Sequence, residues 1–386
     1  MLPTLAHADR WTRDGIDVSL IDPHRHLYYS GMMPEHLGGV YTRDEIRIDL
    51  SRLCRSANVR QIAEAVDHVD ADAQTVTTDA DRTLSYDVLA LDVGGVNPHH
   101  PAASVATKPI AHLQAVEDRI RQTLADPDAS LRMTIVGGGA AGVEIAMNVL
   151  GRFHAAGRSA NLSLTVLETE DRLLSRFPAG MSAHVARHLR ARGATLRFRT
   201  RVTTTTADEV LLADDSTLPS DVVIWATGSV GPAFLRTSGM PTDDRGFLQV
   251  TPGLHPPGQR RVFAAGDCAT VAGYDHLQKV GVHAIKQGPV LRSNLDRTLH
   301  ALRATGRAPA TKDLQLFRPY PIAPLILSTG TRDGLWTAGS VWVRHPLMLR
   351  LKHYIDRAWI RDYAPRWEEA SLPTLIADDA PQRTTV

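Results

Sequence analysis

Residues 132–168 read RMTIVGGGAAGVEIAMNVLGRFHAAGRSANLSLTVLE, and this stretch decides the fold. Met133 to Val136 form a short apolar run with strand character. Gly137, Gly139 and Gly142 follow in G-x-G-x-x-G spacing. A helical run from Val143 to Phe153 comes next, then a second strand from Leu162 to Leu167 that ends on Glu168. Gly137 permits the tight turn out of the strand. Gly139, without a side chain, lets a pyrophosphate approach the backbone. Gly142 allows close packing of helix on strand, and the helix N-terminus offers unpaired N–H groups and the positive end of its dipole to phosphates. Glu168 stands where a carboxylate accepts hydrogen bonds from a ribose diol. A glycine triplet alone is weak evidence; strand, glycines, helix and acid in this order are strong evidence.

Outward from this unit, composition narrows the options. The chain has 386 residues, enough for two or three domains, and a formal net charge of +1. That charge gives no bulk electrostatic reason to expect nucleic acid, and aromatic residues make up only 5%. The two cysteines, Cys54 and Cys268, are far apart, which excludes a disulfide framework and a cysteine zinc site and suits a reducing cytoplasm. No metal site is expected. No apolar run reaches the roughly eighteen residues of a membrane span, and the N-terminus lacks a signal-peptide pattern.

Taken in order, residues 2–11 read as a helix and 17–21 as a strand ending on Asp22. Residues 23–40 read as a loop. A helix is expected over 45–57, strands over 61–69, 74–78 and 83–95, a loop or linker over 98–108, and a helix over 110–125. Beyond Glu168 the pattern predicts an amphipathic helix over 181–192, short strands over 195–199, 202–204 and 209–212, and a buried strand over 221–228. Strands over 246–250 and 261–267 and a long helix over 280–299 follow. The character changes near residue 317: hairpin-like strands over 322–328 and 334–338 lead to a basic amphipathic helix over 347–363. The polar tail from Ser371 reads as disordered.

Three segments together, the glycines of 137–142, the turn Ala226, Thr227, Gly228 and the AAGD stretch ending on Gly266 and Asp267, give a wider resemblance. The chain resembles two-dinucleotide flavoproteins of the pyridine nucleotide-disulfide oxidoreductase superfamily. Within it, YSGMMP at 29–34, KVGVHAIKQGP at 279–289 and ILSTG…LKHYIDRAWIRDY at 326–363 resemble the oxidoreductases associated with selenide, water dikinase, relatives of type II NADH dehydrogenases. The resemblance implies an α/β fold with two Rossmann-like, three-layer dinucleotide-binding domains and a smaller α+β C-terminal domain. FAD would lie on residues 1–108 and 238–315, NAD on 109–237, and the C-terminal domain on 316–386. It further implies that Asp267 holds the flavin ribityl chain and Asp22 the adenosine ribose. Ser30, Gly31, Met32 and Met33 would pass beside the flavin. Gly228 would pack near the nicotinamide cofactor, Glu144 would lie near the nicotinamide, and Lys279 would supply a cation to the reduced flavin.

One departure is large. Members of that superfamily open with a strand and a glycine loop of their own, and here Met1 falls inside what should be the following helix. The first strand of the FAD domain is therefore missing from the sequence. Two readings follow: the true start lies upstream, or the first half no longer holds FAD tightly. Asp22, the Ala226–Gly228 turn and Asp267 favour the former.

The expected activity is hydride transfer from NADH to FAD and on to a small acceptor. Glu168, with Glu170 beside it, favours NADH over NADPH, and nearby Arg172 weakens that preference. No cysteine pair is present for a dithiol relay. Where type II NADH dehydrogenases carry A-Q-x-A-x-Q, this chain has GVHAIK at 281–286, so quinone stays one candidate acceptor among others. The C-terminal helix, rich in Arg and Lys on one face, either docks on the body of the protein or lies on the inner face of the cell membrane. Two alternatives remain: an NAD-binding module without turnover, and a redox partner in selenium or sulfur metabolism. The oligomeric state is left open.

Overall fold

The computed structural model describes residues 1–98, 100–275 and 277–363, so the expected polar tail lies outside the described residues. The opening stretch builds the middle of a five-stranded parallel sheet. Its strands are ordered Thr195–Arg197, Leu162–Leu167, Leu131–Val136, Val222–Trp225 and Val105–Ala106. Met133, Ile135 and Val136 in the central strand and Leu164, Val166 and Leu167 in the next are buried, as expected of a parallel sheet covered on both faces. The helix Ala140–Ala155 covers one face, and an antiparallel meander follows (Val202–Thr205, Glu209–Leu212, Thr217–Pro219). The meander packs on the sheet through a small separate core of Val210, Leu212, Val223 and Trp225 with Val136 and Leu167.

The first half repeats this plan without a continuous sheet. Ser19–Ile21 pairs in parallel with Arg60–Ile62, and Leu89–Leu91 with Val262–Ala264, as two separate two-stranded ladders. A second three-stranded meander, Val66–Asp70, Thr75–Thr78 and Thr83–Ser85, lies between them in sequence. Another parallel pair, Leu248–Val250 with Ala269–Val271, precedes the long helix Gly281–Thr305. The C-terminal unit is an antiparallel sheet of Leu325–Ser328, Gly334–Ala338 and Val341–His345, followed by the helix Pro346–Arg361.

Several local expectations need correction. The loop expected over 23–40 contains a strand, His26–Tyr28, paired with Arg47–Asp49, and a buried helix, Met33–Leu37. Both are too short to show a period, and Pro34 sits in the first turn, where a proline is tolerated. The helix expected over 45–57 begins only at Leu50, where Asp49 caps it by accepting the Arg52 N–H at 3.0 Å. The linker expected over 98–108 supplies the edge strand Val105–Ala106 of the second-half sheet. The C-terminal helix turns Lys352 and Asp356 inward and leaves Leu347, Leu351, Tyr354 and Ile355 exposed, the reverse of a simple basic-out face.

Candidate dinucleotide site and its surroundings

Each glycine of the loop has a distinct steric reason. Gly137 has φ +114°, and a Cβ there would lie 2.6 Å from the Ala226 carbonyl oxygen. At Gly142 a Cβ would come within 2.1 Å of the Gly137 carbonyl oxygen. Gly139 is the N-cap of the helix and receives no side-chain cap; a Cβ there would meet nothing within 4 Å. The helix start thus has no side-chain cap and has space beside Gly139, which suits an anion. Gly138 was not singled out from the sequence, yet a Cβ there would collide with Leu173 Cδ2 at 2.5 Å.

Glu168 is fixed beside this loop. Its Oε2 accepts the Gly138 N–H at 2.7 Å, and its Oε1 accepts the Glu170 N–H at 3.0 Å and the Thr169 hydroxyl at 3.1 Å. A carboxylate has about four acceptor sites, so capacity for a diol remains. Arg172 is turned away to carbonyl groups, donating to Leu174 at 3.3 Å, to Phe177 at 3.1 Å and to Ser175. Its effect on cofactor choice is thereby reduced. Across the sheet, Gly228 has open surroundings, with Arg245 Nη2 3.9 Å from where a Cβ would be.

A second group gathers at the end of the strand Val262–Ala264. Gly266 has φ +72° and donates its N–H to Gln287 Oε1 at 2.6 Å. Asp267 accepts from Lys108 Nζ at 2.5 Å. Lys279 donates to Thr270 Oγ1 at 3.1 Å and to the Ala269 carbonyl, and lies 4.2 Å from the centre of the Phe247 ring. Burial pulls the lysine pKa down, against the charges of Asp267 and Asp243. Gly266, Asp267, Lys279 and Gln287 share one small cavity of about 20 Å³. In the sequence Gln287 stands out only as a glutamine next to the 281–286 segment and Lys108 not at all, because each meets its partner only through tertiary structure.

The remaining expected residues make other contacts. Asp22 ends its strand and accepts the His24 N–H at 2.8 Å, a turn contact. Ser30 is exposed, while Met32 and Met33 are fully buried packing residues. The Gly31 carbonyl accepts from Lys352 Nζ at 2.6 Å. Lys352 also donates to Glu35 Oε2 and Asp356 Oδ2, both at 2.7 Å, and His353 Nε2 meets Glu35 Oε1 at 2.6 Å. Burial alone would raise Glu35; Lys352 and His353 outweigh it and hold the carboxyl below its ordinary range. Glu144, one turn into the glycine helix, is buried and accepts the Ser328 N–H at 2.8 Å. Its pKa is pushed up to about 8 by burial, with the Lys352 charge pulling the other way. Glu144 thus joins the glycine helix to the C-terminal sheet.

The second-half residues fit a dinucleotide: an open helix N-terminus, steric glycines and an acid at the next strand's end. The first half fits a second dinucleotide in part. Asp267, Lys279 and Gln287 form one end of a polar site, but no glycine turn like 137–142 stands beside the first-half ladders among the described residues. No group of His, Cys, Asp or Glu among the described residues could hold a metal ion.

Comparisons with known proteins agree with this geometry. The chain is 28% identical over 214 residues to the demethylphylloquinone reductase NdbB of Synechocystis sp., covering 52% of each chain. It is 28% identical over 166 residues to the type II NADH:quinone oxidoreductase of Haemophilus influenzae, covering 40% of this chain and 36% of that one. It therefore spans about half the length of the first relative and about a third of the second. Among solved structures, the NDH2 of Plasmodium falciparum in complex with NADH superposes with a TM-score of 0.73 at 13% identity, over 94% of this chain and 96% of that one. The sulfide:quinone oxidoreductase of Aquifex aeolicus gives 0.71 at 15% identity, over 93% and 88%. At these identities the superpositions speak for the fold. Residues 4–288 match the family model described as pyridine nucleotide-disulphide oxidoreductase, and the chain belongs to that family.

Proposed function

We propose that this protein is an NADH-dependent flavoprotein oxidoreductase that delivers electrons to a quinone or another small acceptor. The observation that carries this reading is the uncapped N-terminus at Gly139 with Glu168 fixed beside it, a site built for NADH. The carboxylate of Glu168 accepts a ribose diol and repels a 2′-phosphate, so NADH is favoured over NADPH. A flavin, when bound, would supply the hydride-accepting chemistry, and Asp267, Lys279 and Gln287 are the residues that would hold its ribityl and ring end. Protein groups then supply position and charge rather than an obligatory acid or base. The quinone acceptors named for the two curated relatives support the choice of acceptor. Cys54 and Cys268 are both free and buried, and a dithiol relay between them has no support.

The exposed strip of Leu347, Leu351, Tyr354 and Ile355, with Arg350 among them, supports peripheral contact with an anionic membrane, which would suit a quinone acceptor. No helix among the described residues is long and apolar enough to cross a membrane. The second reading, an NAD-binding module without turnover, is favoured by one observation: the first-half ladders remain separate. The decisive experiment is an absorbance spectrum of the purified protein followed by anaerobic NADH. Flavin near one per chain that bleaches on NADH and recovers on adding a soluble quinone supports the oxidoreductase. A colourless protein that gains no flavin on incubation with FAD, yet binds NADH, overturns it in favour of the module.

A further inference from the structure

The two halves are joined by two chain crossings, and these are tied to each other. Val96 and Val230 exchange both backbone hydrogen bonds at 2.9 Å. Asn97, 5% exposed, accepts the Lys108 N–H at 2.7 Å and the Thr107 hydroxyl at 3.1 Å through Oδ1. Its Nδ2 donates to the Thr227 carbonyl at 2.9 Å. Thr107 in turn donates its N–H to the Trp225 carbonyl at 3.1 Å. The backbone of Lys108 is thus pinned to the second half before its side chain begins. From that base Nζ reaches Asp267 Oδ2 at 2.5 Å and Ser229 Oγ at 3.4 Å. Asp267 lies in the 3-10 turn Gly266–Cys268 that follows the first-half strand Val262–Ala264, and Ser229 adjoins Gly228 on the second-half turn.

We propose that Lys108 is a positioning residue that sets the separation between the Asp267 end of the first half and the Ser229 turn of the second. A side chain this long gains little from a surface ion pair, because two flexible groups must be ordered and solvent screens the charges. Here the lysine starts from an anchored backbone, so less freedom is lost and the pair can define a distance. Its kinetic consequence rests on the oxidoreductase reading above, since the two sides it spaces are those expected to hold flavin and nicotinamide. Misplacement of reacting groups by about 1 Å costs up to about a hundredfold in rate.

The test compares Lys108→Met and Lys108→Arg with the unaltered protein by hydrogen exchange and by single-turnover reduction with NADH. In the Met variant, amide exchange over 227–231 and 266–268 is expected to speed up about fivefold or more, with 137–143 unchanged. NADH affinity is expected to stay within about twofold while flavin reduction slows about tenfold or more, and Arg restores most of the rate. Unchanged exchange at both segments overturns the proposal. So does a rate loss matched by an equal loss of NADH affinity, because the lysine would then act on binding. A protein that takes up no flavin would sink the oxidoreductase reading alone; the exchange comparison, which needs no flavin, still decides the role of Lys108.

Discussion

The second half of this molecule builds one sheet of five parallel strands, and its glycine loop grows from the middle strand. The first half, with a three-stranded meander of its own, has its parallel strands in three separate pairs that are not joined into one sheet among the described residues. The difference teaches where order comes from. In the second half it comes from the sheet itself, buried on both faces. In the first it comes from outside: the helix Met33–Leu37 packs on the glycine helix, where a Cβ on Gly38 would stand 3.0 Å from Asn148 Cβ. Glu35 on that same helix is tied to Lys352 and His353 of the C-terminal helix.

The strongest way to break this contrast is Lys352→Met. It leaves the buried carboxylates of Glu35 and Asp356 without their shared cation, and a loss of about 3–5 kcal/mol is expected in denaturant unfolding. Hydrogen exchange should speed up over 26–49 while 131–167 stays protected. Equal loss of protection in both would show that the halves do not differ in the way described. Next, Gly142→Ala forces a Cβ into the Gly137 carbonyl and should weaken NADH about a hundredfold, whereas Gly139→Ala should leave the melting temperature within about 2 °C and weaken NADH only about tenfold. Calorimetric titration of both variants reads this directly, and equal effects would refute the steric distinction.

Glu168→Ala removes the acceptor of two backbone N–H groups, at about 1–3 kcal/mol for each one left unsatisfied. NADH affinity should fall about tenfold, and the ratio of NADPH to NADH turnover should rise. A separate test concerns Glu144. Its folded pKa is raised to about 8 from the ordinary value of 4.5, so the folded protein holds a proton that the unfolded chain has released. Its contribution is fully present below about pH 4.5 and is lost as pH rises towards 8. The stability of the unaltered protein should therefore fall between pH 5 and 8 more steeply than that of Glu144→Gln, in paired melting curves. Parallel curves would remove Glu144 from that account.

These contrasts show which features a sequence carries on its face. The unit 132–168 was legible because a six-residue apolar strand, glycines with steric duties and a long helix each leave a local pattern. The parallel strand Val222–Trp225 was legible for the same reason, as an unbroken apolar run. The strand His26–Tyr28 and the helix Met33–Leu37 were not legible, since three to five residues complete no period and their partners lie elsewhere in the chain. Lys352 reads as a surface residue on an amphipathic helix; only the folded chain brings Glu35, hundreds of positions away in sequence, to its ammonium group. Lys108 likewise ends the stretch 98–108 that reads as loop or linker, Asn97 stands just before it, and their importance lies in bonds to Thr227 and Asp267.

The C-terminal helix has a practical consequence. Its outer side carries Leu347, Leu351 and Tyr354, while its inner side holds the Gly31 carbonyl through Lys352 and stacks Trp359 on Tyr29 at 4.2 Å. The exposed and the buried contacts are therefore two faces of one helix. Cutting the chain before Pro346 to test the proposed membrane contact would also strip Glu35 of its cation and remove the donor to the Gly31 carbonyl. Any loss of turnover would then be uninterpretable. Leu347→Ser with Leu351→Ser alters the outer face alone, and such a pair separates the proposed bilayer contact from the integrity of the fold.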